Sequence, residues 1–111
     1  MSQYPVSKRL ALDAMATVYT VPAGRYAMVS HLQITPIDPD NEVDVTVQWL
    51  DASDSDAIAQ LCEGETIKRN DTGPIYPMGG TLILSAGDQV QAEASTAGDA
   101  VLSFSALEYD L

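Results

Sequence analysis

From Val43 the order Val43-Asp44-Val45-Thr46-Val47-Gln48-Trp49 sets four apolar side chains on one side and Asp44, Thr46 and Gln48 on the other. Alternation of this kind predicts a β-strand with one buried and one wet face. Val90-Gln91-Ala92-Glu93-Ala94 repeats it with smaller residues, and Val101 to Glu108 alternates more loosely. Tyr26 to Thr35 is a β-prone run ended by Pro36, with shorter candidate strands at Thr17 to Val21 and Thr81 to Leu84. Residues 57–62, Ala-Ile-Ala-Gln-Leu-Cys, are the one stretch that reads as a helical turn.

Turn signals separate these runs. Pro22-Ala23-Gly24, Ser85-Ala86-Gly87-Asp88 and Thr96-Ala97-Gly98-Asp99 each precede a strand, glycine supplying positive φ and aspartate bonding its neighbouring backbone. Residues 36–42 and 51–56 read as acidic loops, and residues 69–80 as a long loop or broken edge strand. The strands match at no fixed period, so a solenoid or propeller is rejected. The expected fold is all-β: a single antiparallel β-sandwich of about eight strands, of jelly-roll or immunoglobulin-like size. Residues 1–15 are set apart as an N-terminal arm and first short strand, with the sandwich domain over 16–111. Strand order stays open.

Charge narrows the function classes. The chain of 111 residues carries 16 acidic and 5 basic side chains, a net charge of −11. That balance argues against binding nucleic-acid phosphates or anionic membranes. A single cysteine, Cys62, cannot form an intramolecular disulfide, which suits a reducing compartment. Lys8 and Arg9 precede an apolar stretch, but Asp13 interrupts it, and no run is long enough to span a bilayer. The expectation is a soluble protein made in the cytoplasm.

Candidate chemistry is thin. His31 is the only histidine and lies within a strand, where parity puts it beside Gln33 on the polar side. Cys62 reads as a small buried hydrophobe with no base beside it. The alternate acids Asp38, Asp40, Glu42 and Asp44, and the cluster Asp51, Asp54 and Asp56, raise calcium binding. Neither segment has the glycine and terminal glutamate of an EF-hand loop, and a solvated acidic face is the favoured reading. No enzyme, cofactor or metal is expected. The partner-interface candidates are Tyr4, Pro5, Val6, Lys8 and Arg9: an aromatic anchor, an extended apolar pair and two of the five cations. Such a segment either adds a strand to a partner's sheet or frays as a terminus.

Several stretches carry a family resemblance. They are Val18-Tyr19-Thr20-Val21-Pro22-Ala23-Gly24 leading into Tyr26 to Ser30, the Val43 to Asp51 strand, Tyr76 to Leu84, Ser85-Ala86-Gly87-Asp88-Gln89-Val90, and Ala100 to Glu108. Together they resemble the small β-sandwich virion proteins of tailed bacteriophages, among them capsid decoration (cement) proteins and small tail or fibre components. The resemblance covers residues 16–109 and leaves the acidic loops outside it. It implies a structural protein of the virion that docks on the major capsid protein or another virion protein. It also implies a homo-oligomer, trimers favoured, without catalytic residues. A tail, collar or fibre-associated subunit is the alternative within that class. A carbohydrate-binding or adhesin module is the alternative outside it, and would need exposed aromatics from Tyr19, Tyr26, Tyr76 and Tyr109.

Overall fold

The computed structural model describes residues 3–37, 42–67, 75–76, 81–96 and 98–111. Nine strands appear among them: β1 (Gln3–Ala11), β2 (Ala16–Thr20), β3 (Arg25–Pro36), β4 (Val43–Asp51), β5 (Ala57–Ile67), β6 (Ile75–Tyr76), β7 (Leu82–Leu84), β8 (Gln89–Ala94) and β9 (Ala100–Asp110). Every pairing is antiparallel. A five-stranded sheet A runs β1-β9-β3, with β6 and β7 both on the far side of β3. A four-stranded sheet B runs β2-β8-β4-β5.

β6 and β7 follow one another along the same side of β3, Tyr76 opposite Leu32 and Leu82 opposite Val29, with their registers offset by three residues, so they fill one strand position in the sheet. Counted as one, they leave an eight-stranded sandwich whose first and last strands are neighbours in sheet A while the second and second-last are neighbours in sheet B. This is the jelly-roll order, which settles the strand order that the sequence left open.

The inner faces meet over aliphatic side chains: Val29, Leu32, Leu102 and Phe104 from sheet A against Val45, Val47 and Val90 from sheet B, all fully buried. Phe104, the only phenylalanine, lies with its ring centroid 5.0 Å from that of Tyr19 across the two sheets. Two irregularities let the chain bury residues that simple alternation would not. In β3 the register shifts between Val29 and His31, so Val29 and Leu32 both point inward while His31 and Gln33 point out. In β2 a shift between Thr17 and Tyr19 buries the consecutive pair Val18 and Tyr19. Each is a bulge that reverses the parity of the residues beyond it.

The expected helical turn at residues 57–62 is instead part of β5. β4 buries its valines inward and needs a hydrogen-bonding partner on the side away from β8; β5 supplies it from Asp51↔Ala57 through Val43↔Ile67. Tertiary pairing overrides the local preference of a short Ala-rich run. The hairpin turns through a 3₁₀ segment, Ala52–Asp54, capped by Asp51 and released through left-handed Ser55 and Asp56.

The segment set apart at residues 1–15 also enters the sandwich. Gln3–Ala11 pairs with β9 along its whole length, from Gln3↔Tyr109 to Ala11↔Val101, and forms the border of sheet A. Leu12 is 2% exposed and belongs to the core. The acids Asp38 and Asp40, and residues 69–74 and 77–80 of the long-loop reading, lie outside the described residues.

Candidate functional site

Two polar clusters organise the molecule. The first joins four strands. Glu108 of β9 is 4% exposed and accepts hydrogen bonds on both oxygens, from the Tyr19 hydroxyl at 2.5 Å and from Arg25 Nη1 at 2.9 Å. Arg25 also reaches Asp110, Nε to Oδ1 at 3.6 Å, and its guanidinium lies 3.6 Å from the centre of the Tyr4 ring. The Tyr4 hydroxyl donates to Asp110 Oδ2 at 3.3 Å. Lys8 Nζ donates to the Val18 carbonyl at 3.2 Å and sits 5.8 Å above the Tyr19 ring. Burial, then the bond to Glu108, raises the Tyr19 phenol above its ordinary pKa of 10.0. Every polar group here points at another group of the same chain, so the cluster works as a latch closing the β1–β2 end of the sandwich.

The second cluster centres on Asp88, which is 1% exposed. Its Oδ2 accepts from Ser85 N at 2.9 Å and Trp49 Nε1 at 3.2 Å, and its Oδ1 from Ala52 N at 2.9 Å. One carboxylate therefore holds its own turn, the end of β4 and the β4–β5 hairpin together. This explains why Trp49, expected in the core, lies at its margin with its indole N–H directed at a turn.

The outer faces of the two sheets differ in chemistry. Sheet B presents a polar ladder: Gln48 Nε2 donates to Gln91 Oε1 at 2.8 Å, and Gln91 Nε2 to Thr17 Oγ1 at 3.2 Å. Asp44 and Glu93 lie on the same side, Asp44 accepting from Thr66 Oγ1 at 2.6 Å. Among the described residues, sheet A turns no acid to its outer side. β1, β3 and β7 contain no Asp or Glu, and the two acids of β9, Glu108 and Asp110, alternate inward to the latch. Register places Ile83, Met28, Leu107 and Pro5 in one row across β7, β3, β9 and β1. Beside that row Tyr26 and Tyr109 stack with ring centroids 5.1 Å apart. Ser7, Ser105 and His31 continue the face, with Arg9 and Gln33 beyond them.

The sequence-selected interface residues divide accordingly. Tyr4, Val6 and Lys8 turn toward the sandwich, Tyr4 and Lys8 into the latch and Val6 against the core. Pro5 and Arg9 turn outward. Cys62 is buried, its thiol 3.8 Å from the Val45 carbonyl. Asp51 Oδ1 is engaged by Ser53 N and Oγ. Among the described residues no group of three or more His, Cys, Asp or Glu could hold a metal ion, and no helix is long and apolar enough to cross a membrane. The sheet A face escaped sequence reading because it depends on which strands are neighbours. Its only advance signal was the outward parity of Leu107 and Tyr109.

Known proteins bear on this architecture. No protein-family model matches the chain, and no curated protein matches it by sequence. Among solved structures, a chain from Bacillus endospore appendages, which form a family of disulfide-linked pili, superposes with a TM-score of 0.57 at 16% identity. The match covers 99% of this chain and 88% of that one. The two share a fold. A chain from infectious bursal disease virus, Gt strain, aligns over 99% of this chain and 31% of its own, with a TM-score of 0.44 and 10% identity.

Proposed function

We propose that the chain is a non-enzymatic structural protein of a virion, of the capsid decoration type, which docks on the major capsid protein and reinforces the shell. The observation that carries this reading is β1, a nine-residue border strand with two cations and no acid in a chain of net charge −11. Its outer edge pairs with no other described strand. It offers backbone groups for strand addition, and Arg9 as a cation to an acidic partner. The latch fixes β1 before any partner arrives, so little ordering entropy remains to oppose docking. The sequence resemblance to small phage β-sandwich proteins supports the virion. Net negative charge keeps free copies apart before assembly.

A fibre-type or tail subunit is the second reading. Fold likeness over nearly the whole chain to a pilus protein favours it.

The test is composition and location. Gradient-purified virions from the source are expected to contain the chain at a fixed ratio to the major capsid protein, visible on the shell by cryo-electron microscopy. Density on the tail selects the second reading. Absence from virions, with binding on a glycan array, removes both. Arg9→Glu, which leaves the latch untouched, is expected to lower shell occupancy about tenfold while the fold is retained.

A further inference from the structure

We propose that the outer face of sheet A is a self-association surface, on which a second copy of this chain packs face to face across a two-fold axis. The surface is the outer face of the sheet, distinct from the hydrogen-bonding edge of β1 although Pro5 and Arg9 of that strand lie on it, and it does not depend on a virion partner.

The argument starts from charge. Two copies at −11 repel each other over most approaches, because acids line the outer side of sheet B and the β4–β5 hairpin. The sheet A face removes that obstacle: among the described residues its strands turn no carboxylate outward, and Arg9 is the cation they carry there. Nothing charged lies in the row Ile83, Met28, Leu107 and Pro5 or in the Tyr26–Tyr109 stack. Ile83 is 57% exposed, with no described part of the chain covering it. Aromatic residues and Met with charge excluded are the composition of an interface centre. A face carrying its own apolar row and no acid is self-complementary, which is what a two-fold contact requires.

The area sets the strength. β1, β9 and β3, of 9, 11 and 12 residues, with the three-residue β7 beside them, present on the order of 500 Å² at about 4.8 Å between strands and about 3.3 Å per residue. Two such faces bury about 1,000 Å², the lower bound for a specific interface, which makes the dimer one of the weak, reversible class. Sheets pack face to face about 10 Å apart, with their side chains interdigitating.

Sedimentation equilibrium of the full chain from about 1 to 500 µM tests it. The expected result is a monomer–dimer equilibrium with its midpoint inside that concentration range. Leu107→Glu is expected to weaken it at least about tenfold by placing like charges across the axis. Ile83→Glu, at an exposed border position, is expected to do the same and serves if Leu107→Glu fails to fold. Ile58→Glu on the β5 edge is expected to leave the equilibrium unchanged. A monomer throughout, a trimer, or equal loss in Ile58→Glu each overturns the proposal. A monomer whose Ile83→Glu variant loses its place on virions overturns it too, assigning the face to another virion protein while leaving the proposed function standing.

Discussion

Asp88→Ala tests most directly how this small sandwich is held. The carboxylate is 1% exposed and accepts three hydrogen bonds, from Ser85 N, Ala52 N and Trp49 Nε1. A hydrogen bond to a charged group contributes about 1.5–3 kcal/mol, and a donor left buried without an acceptor costs about 1–3 kcal/mol. The desolvation that Asp88 itself bears in the folded state offsets part of that sum, and water entering the space left by alanine recovers more. The expected loss is about 3–5 kcal/mol. Asp88→Asn keeps one acceptor oxygen but sets an amide N–H against at least one donor, so it should lose about half as much. Urea unfolding followed by far-ultraviolet circular dichroism gives the difference, with the slope against denaturant unchanged. For a chain of this length about 1 kcal/mol corresponds to roughly 4 °C, so Asp88→Ala should melt about 12–20 °C lower. Trp49 is the only tryptophan and one of the three donors, so its native emission should shift in the same variants. A loss below about 1 kcal/mol in Asp88→Ala, or an Asn variant as stable as the parent, would refute the assignment of Asp88 as the junction of three segments.

Two further predictions concern the turns and the latch. Gly87 has φ +86°, and an added Cβ would lie 3.2 Å from the Cβ of Ala52, whereas Gly24 at φ +79° has open space beside it. Both alanine variants meet left-handed strain of about 1–2 kcal/mol. Gly87→Ala should therefore be the less stable of the two in urea unfolding, and equal losses would refute the contact. The Tyr19 phenol has a folded pKa above its ordinary 10.0, so the folded state holds that proton to higher pH than the unfolded chain. Its contribution is full below the ordinary value and is lost as pH rises past about 10, at up to roughly 1.4 kcal/mol per pH unit. Tyr19→Phe should start less stable at pH 7 and decline less between pH 9 and 11. Parallel curves would refute the linkage.

How much of the fold is legible in the letters depends on where each residue's partners lie. β4, β8 and β9 are legible because one face of each is buried and the other wet, so alternation survives along the chain. β3 is legible as a strand, but not its bulge at Ser30, which makes Val29 and Leu32 share a side. β1 and β5 are hard to read because they are borders: most of their residues are exposed, so burial imposes little pattern on them. The turn role of Asp88 is visible in its bond to Ser85 three residues earlier. Its bonds to Trp49 and Ala52 are not, because only the fold brings residues 39 and 36 positions away into reach. The acid-free face is hidden for the same reason, since it is spread over strands from opposite ends of the chain.

The latch and that face are two sides of one register. In β9, odd positions from Ser103 to Tyr109 face out, while Leu102, Phe104, Ala106 and Glu108 face in. Because strand side chains alternate, a slip of one residue would turn Leu107 and Tyr109 into the core and bring Glu108 and Asp110 onto the outer face. Apolar burial opposes that slip at Phe104 and Leu102, but it does not by itself give two carboxylates a place on the inner side. Arg25 and Tyr19 do: they bind both oxygens of Glu108, and Arg25 also reaches Asp110. A buried ion pair is weak evidence for stability in general. Its role here is positional, since it holds both acids that end the strand off the outer face, Glu108 buried and Asp110 half exposed at the margin. The charge asymmetry between the two faces of the sandwich therefore rests on the same three side chains that close its β1–β2 end.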